Sequence, residues 1–158
     1  MIIDVHGHFT RAPQALYQWR AFQLVTLGAP RKTKLTVSDD ELETILQQWN
    51  LKKMDETGID MQVISHGAPS AQKLPASGAA ELVRRVNDRL AAACAANPKR
   101  FAAFAALPLQ DPDQAVVELD RCVRQLGFKG VMVSGTVDGR FLDDPRFTPF
   151  FEAAQALD

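Results

Sequence analysis

The stretch IIDVHGHF, residues 2–9, runs an apolar segment directly into two histidines separated by one glycine. Ile2 to His6 reads as a strand, with β-branched residues closed by Gly7. In a regular strand, residues i and i+2 point to the same face. His6 and His8 should therefore stand side by side, with Asp4 beneath them on that face. Gly7 leaves the opposite face uncrowded. Neutral imidazole is a common ligand for zinc and similar ions, so the pair is a candidate metal site. The bland alternative is two histidines at a chain terminus. The place of this strand in the fold decides between them.

Outward from this stretch, strand and helix patterns alternate. Pro13 opens a helical stretch, QALYQWRAFQLVTL, which Gly28 closes, and GAPRKTKLTV forms a polar loop. Together they make a helical insertion at about residues 10–38. Ser38 is placed to cap a second helix, with Asp39, Asp40 and Glu41 at its positive end. Leu42, Ile45, Leu46, Trp49, Lys53 and Met54 keep helical spacing up to Gly58. IDMQVIS is a second strand, and HGAPSAQKLPASG a loop. AAELVRRVNDRLAAACAANP is a long helix, with the charges of RRVNDR on its solvated face. FAAFAALPL is a third strand. DPDQAVVELDRCVRQLG is a helix with Asp111 as cap and Pro112 in its first turn. GVMVS is a fourth strand. DDPRFTPFFEAAQALD starts a last helix at Asp143 and Asp144, and Phe147, Phe150 and Phe151 should face the core.

Strands that are apolar on both faces, separated by helices, must form a parallel sheet covered on each side. An open doubly wound sheet and a (β/α)8 barrel of the TIM type both satisfy this. No glycine-rich phosphate loop follows the first strand, whereas barrel enzymes place their chemistry at the C-terminal ends of strands, where the histidines are. The barrel is therefore the expected fold class. A complete one takes about 250 residues, so this chain of 158 residues covers its first four β/α units.

Composition excludes several functions. With 46% apolar and 23% charged residues and a net charge of −1, the chain is an ordinary globular domain. It has no basic block for nucleic acid or an anionic membrane, and its apolar runs are too short to cross a bilayer. No cationic region precedes the first apolar run, so a cytoplasmic protein is expected. Cys94 and Cys122 lie in helical stretches and read as small buried hydrophobes, not as a disulfide.

IIDVHGHF resembles the opening of the amidohydrolase superfamily. The likeness is strongest to the branch holding aminocarboxymuconate-semialdehyde decarboxylase, the resorcylate-type decarboxylases and oxalomesaconate hydratase. DETGIDMQVIS is similar to the second strand of that branch. RFAAFAALPLQDPDQAVVELDRCVRQLGFKGVMV is similar to its third strand through fourth strand, and LDDPRFTPFFEAAQALD to its fourth helix. The resemblance implies one divalent metal ion, zinc first and manganese as the alternative, with His6 and His8 as ligands. It also implies a third histidine at a fifth strand, another after a sixth and an aspartate at an eighth. None of these maps onto this chain, so the catalytic groups are expected beyond Asp158.

The implied reaction is a lyase reaction, decarboxylation or hydration, on a small unsaturated or aromatic carboxylic acid. A metal-dependent hydrolase on the same scaffold and a catalytically incomplete half-barrel are the alternatives. Arg11 and Arg20 are candidates to clamp a substrate carboxylate, against the bland reading of solvated arginines. His66 ends the second strand at the same mouth, as a substrate contact or as an exposed loop residue. Trp19 and Phe22 are expected to pack the insertion onto the barrel. Half a barrel leaves two unpaired edges and an open inner face. A homodimer, or association with a C-terminal half in a fragment of a longer enzyme, would cover them.

Overall fold

A computed structural model describes residues 1–8, 44, 46–67, 70–133 and 135–158. The expected helix after Pro13, the cap at Ser38 and the side chains of Arg11, Trp19, Arg20 and Phe22 lie outside the described residues. Among those described, strand β1 (Ile3–His8) is followed by a π-helical turn (Leu46–Leu51) that runs into helix α1 (Lys52–Thr57). Strand β2 (Met61–Ser65), helix α2 (Ala76–Ala96), strand β3 (Phe101–Ala103), helix α3 (Pro112–Arg124) and helix α4 (Thr148–Leu157) complete the order. A single 3-10 turn precedes each of α2 and α4.

The strands form a parallel sheet in the order β1-β2-β3, with Gln62 opposite Phe101 and Ile64 opposite Ala103. Helices cover the face that carries Ile64, Phe101 and Ala103. Leu46, Met54, Leu90, Leu119 and Phe147 are each nearly inaccessible against it. The chemistry of each boundary is local. Gly58, at φ 72°, ends α1 in the left-handed conformation that glycine adopts without strain. The Asp111 carboxylate accepts from the Gln114 amide at 3.2 Å and Pro112 follows, which starts α3 as expected. Asp144 caps the turn before α4 through the Arg146 amide at 3.0 Å. No described helix is long and apolar enough to cross a membrane. Cys94 and Cys122 are free, and burial pushes their thiols up to about 11 and about 12.

Expectations change at three places in the fourth strand and the helices. The GVMVS segment is not a full strand. It runs parallel beside β3 through the Ala105–Val131 bridge, with Lys129 donating to Ala103, Ala105 to Gly130 and Met132 to Ala105. Phe147 and Phe150 are buried, but Phe151 is 47% exposed. Phe150, Ala153, Ala154 and Leu157 form the packed stripe of α4, and Phe151 is turned about 100° from Phe150 around the helix.

The third change is in RRVNDR, which is not wholly solvated, because Asn87 is fully buried. Its amide accepts from the Ala106 N–H at 2.9 Å and donates to the Ala106 carbonyl at 3.0 Å. β2 has ended at Ser65, so Asn87 supplies the peptide partner that a longer strand would have given Ala106. Asn87 also donates to Glu118 at 2.8 Å, and Arg121 binds Glu118 at 2.7 Å and Asp88 at 2.7 Å. Burial alone would raise the Glu118 carboxyl, but hydrogen bonds from Arg121 and Asn87 outweigh it and hold it below its ordinary range.

Replacing Asn87 with alanine strands two buried peptide groups and weakens a buried carboxylate. Asn87→Ala should cost about 3 kcal/mol in urea unfolding, and a loss under about 1 kcal/mol would contradict this role. The lowered Glu118 pKa stabilises the fold above the ordinary value of 4.5, and that contribution disappears as pH falls through the folded value. Glu118→Gln should therefore flatten the acid limb of the stability–pH curve; an unchanged limb would assign it to other carboxylates.

Candidate metal centre

The strand that carries the histidines is not regular. Ile3 pairs with Met61 and Asp4 with Gln62, whereas Gly7 pairs with Ile64 and His8 with Ser65. From Asp4 to Gly7, β1 takes one more residue than β2 takes from Gln62 to Ile64, which is a β-bulge. An odd insertion exchanges faces. Asp4 and Gly7 consequently share the helix-covered face with Gln62 and Ile64, while His8 shares the opposite face with Ser65. The expected placement of Asp4 beneath the histidines is therefore corrected: strict alternation fails at the inserted residue.

Asp4 instead anchors the bulge. Its carboxylate accepts from the Gln62 side-chain amide at 2.7 Å and from the His6 backbone N–H at 3.0 Å. These bonds, Gln62 foremost, hold its pKa below the usual carboxylate range against a smaller opposing effect of burial. Gln62 also accepts from Asn50 at 2.8 Å, and Asn50 donates to the His8 carbonyl at 3.4 Å. Gly7 is buried beneath Gln62, and a Cβ at position 7 would lie 2.4 Å from the Gln62 Cγ.

The two imidazoles stand together at the end of the bulged strand. The His6 and His8 ring centroids are 4.8 Å apart with the planes at 75°. Burial, and then the neighbouring His6, lower the pKa of His8, which favours the neutral form that a metal requires. The Ser65 hydroxyl donates to the Gly7 carbonyl at 3.3 Å and lies 3.5 Å from His8 Nδ1. His66 follows at the end of β2, half-buried, with its Nδ1 enclosed and without a hydrogen-bond partner among the described residues. Burial lowers its pKa, the Gly67 backbone opposes this, and His8 adds to the lowering. No group of three or more His, Cys, Asp or Glu side chains with metal-site geometry occurs among the described residues.

Sequence patterning does not single out Asn50, Gln62 or Ser65. The trace of the last two is a glutamine and a serine within the otherwise apolar MQVIS.

Parallel β/α units with paired histidines at the C-terminal end of the first strand define the first part of a (β/α)8-barrel protein. The profile of the Amidohydrolase family matches residues 3–158, and the chain belongs to that family. Gamma-resorcylate decarboxylase from Rhodococcus jostii (strain RHA1) is 46% identical over 132 residues, covering 75% of this chain and 40% of that protein. The 2-keto-4-carboxy-3-hexenedioate hydratase of Sphingobium sp. is 32% identical over 178 aligned positions, covering 100% of this chain and 50% of the hydratase. The crystal structure of dihydroxybenzoic acid decarboxylase from Polaromonas sp. JS666, with bound manganese and the inhibitor 2-nitroresorcinol, matches with a TM-score of 0.75 at 33% identity. That match covers 99% of this chain and 46% of the decarboxylase. The chain thus spans about half the length, or somewhat less, of the relatives it matches.

Gly7→Ala tests the bulge. The clash is with the near end of a side chain whose far end is held by Asp4 and Asn50, so it cannot swing away cheaply. The variant should lose about 1–3 kcal/mol in chemical denaturation, and wild-type stability would show that the contact relaxes without cost.

Proposed function

We propose that His6 and His8 hold one divalent metal ion in a lyase acting on a small aromatic or unsaturated carboxylic acid. The observation that carries this reading is the bulge-directed imidazole pair, at 4.8 Å, on the first strand of a chain 46% identical to a resorcylate decarboxylase. The donor set fits such an ion: two imidazoles side by side, with burial lowering the pKa of His8 and so favouring its neutral form. Manganese, present in the related solved structure, is the first ion to test, and zinc the second. A bound divalent ion supplies Lewis-acid polarisation of a carboxylate or carbonyl and can lower the pKa of bound water towards ~7.

This chain's own residues would do the rest of what lies at the strand ends. The imidazoles fix the position of the charge that the substrate carboxylate meets. His66, enclosed at the end of β2 beside His8, is placed to hydrogen-bond a bound acid. Arg11 and Arg20 remain the cations proposed to clamp its carboxylate. The four β/α units form one part of the barrel, and the helical insertion at about residues 10–38 belongs to the same domain. Decarboxylation is the first reading. Hydration is the second, favoured by the hydratase match across the whole chain.

Product analysis separates the two. Joined to the strands that complete its barrel and loaded with manganese, the chain should release CO2 from 2,6-dihydroxybenzoate; hydration of an unsaturated keto-dicarboxylate without CO2 release would select the second reading. His6→Ala and His8→Ala should each lower kcat/KM by about 100-fold or more, the equivalent of several kcal/mol of lost charge stabilisation. Full activity in either variant would overturn the assignment of the pair.

A further inference from the structure

We propose that Gln62 and Ser65 are positioning residues for the metal pair, forming with Asp4 and Asn50 a polar frame that presents the histidines in one geometry and one tautomer. The inference rests on the reading of His6 and His8 as ligands. Three backbone groups of the His6-Gly7-His8 segment are each held by a side chain. The His6 N–H is bound by Asp4, the Gly7 carbonyl by Ser65 and the His8 carbonyl by Asn50. Gln62 joins Asp4 to Asn50 through both ends of its amide, at 2.7 and 2.8 Å. It also lies over Gly7 closely enough to exclude any larger residue there. Removing the Gln62 amide therefore takes away the anchor of two of the three clamps at once.

Ser65 acts on the ring itself. A hydroxyl has one proton, and that of Ser65 is directed to the Gly7 carbonyl. Towards His8 Nδ1, 3.5 Å away, its oxygen can then only accept. This selects the tautomer with the proton on Nδ1 and leaves the Nε2 lone pair free for a metal. Ser65 is 1% exposed, so water does not compete for either bond.

Groups that orient a ligand histidine in this way typically contribute about 10–100-fold to metal affinity. The test is a manganese titration, followed through the electron paramagnetic resonance of free Mn2+, on the chain joined to the strands that complete its barrel, as wild type, Gln62→Met, Ser65→Ala and His6→Ala. Each protein is checked for wild-type far-ultraviolet circular dichroism at the assay temperature. Gln62→Met and Ser65→Ala should bind at least about tenfold more weakly while folded. Long-range 1H–15N correlation spectra of the metal-free protein supply a readout that a merely structural role would not move. His8 should be Nδ1-protonated in wild type and shift towards the Nε2-protonated form in Ser65→Ala. Wild-type affinity in both variants, or a wild-type His8 already protonated on Nε2, overturns the frame. If Gln62→Met does not fold, Ser65→Ala alone decides. If His6→Ala binds like wild type, the ligand assignment itself fails, which is a separate outcome.

Discussion

Gly7 and the side chain of Gln62 occupy the same space that any other pair of residues would contest, and the candidate site depends on that contact. Without a Cβ at position 7, the Gln62 amide can lie across β1 and reach Asp4 on one side and Asn50 on the other. The bonds to Asp4 stabilise a bulge that a parallel pair does not adopt by default. The bulge exchanges the faces of the strand, so the acid stays on the Gln62 side while His6 and His8 emerge on the other. A local steric allowance is thereby converted into the direction in which two imidazoles point.

The helix layer makes this tolerable. Asn50 reaches the bulge from the π-helical turn before α1, so the geometry of β1 is tied to the packing of Leu46 and Met54 against Ile64. π-helical turns are frequent at functional sites, and here the turn sets an amide against the strand end. Further along the sheet, Asn87 plays a related part, standing in for a strand where β2 has ended. In both places a buried amide completes peptide pairing that the regular ladder leaves open.

Much of this was legible in the sequence, because the governing physics is local. Pro112 after Asp111 marked the start of α3, and Gly58 marked the end of α1. The alternation of apolar runs with helical spacing implied parallel β/α units, and the position of His-Gly-His on the first of them singled out the pair. What was not legible depends on partners far away in the chain. The bulge arises from Gln62, 58 residues from Asp4, and nothing within IIDVHGHF announces it. Asn87 sits in a run of charges whose pattern predicts solvent, yet Ala106 and Glu118 draw it inside. Phe151 shows the finer limit: neighbouring aromatics on one helix cannot all face the core.

The imidazole pair is proposed to hold a divalent ion. The deciding measurement is the metal content of the chain, joined to the strands that complete its barrel, after purification from manganese- and zinc-supplemented medium and dialysis. Wild type should retain about one equivalent per chain, and His6→Ala/His8→Ala should retain essentially none while keeping its fold. Equal metal content in the double variant, or none in a folded wild type, would contradict it.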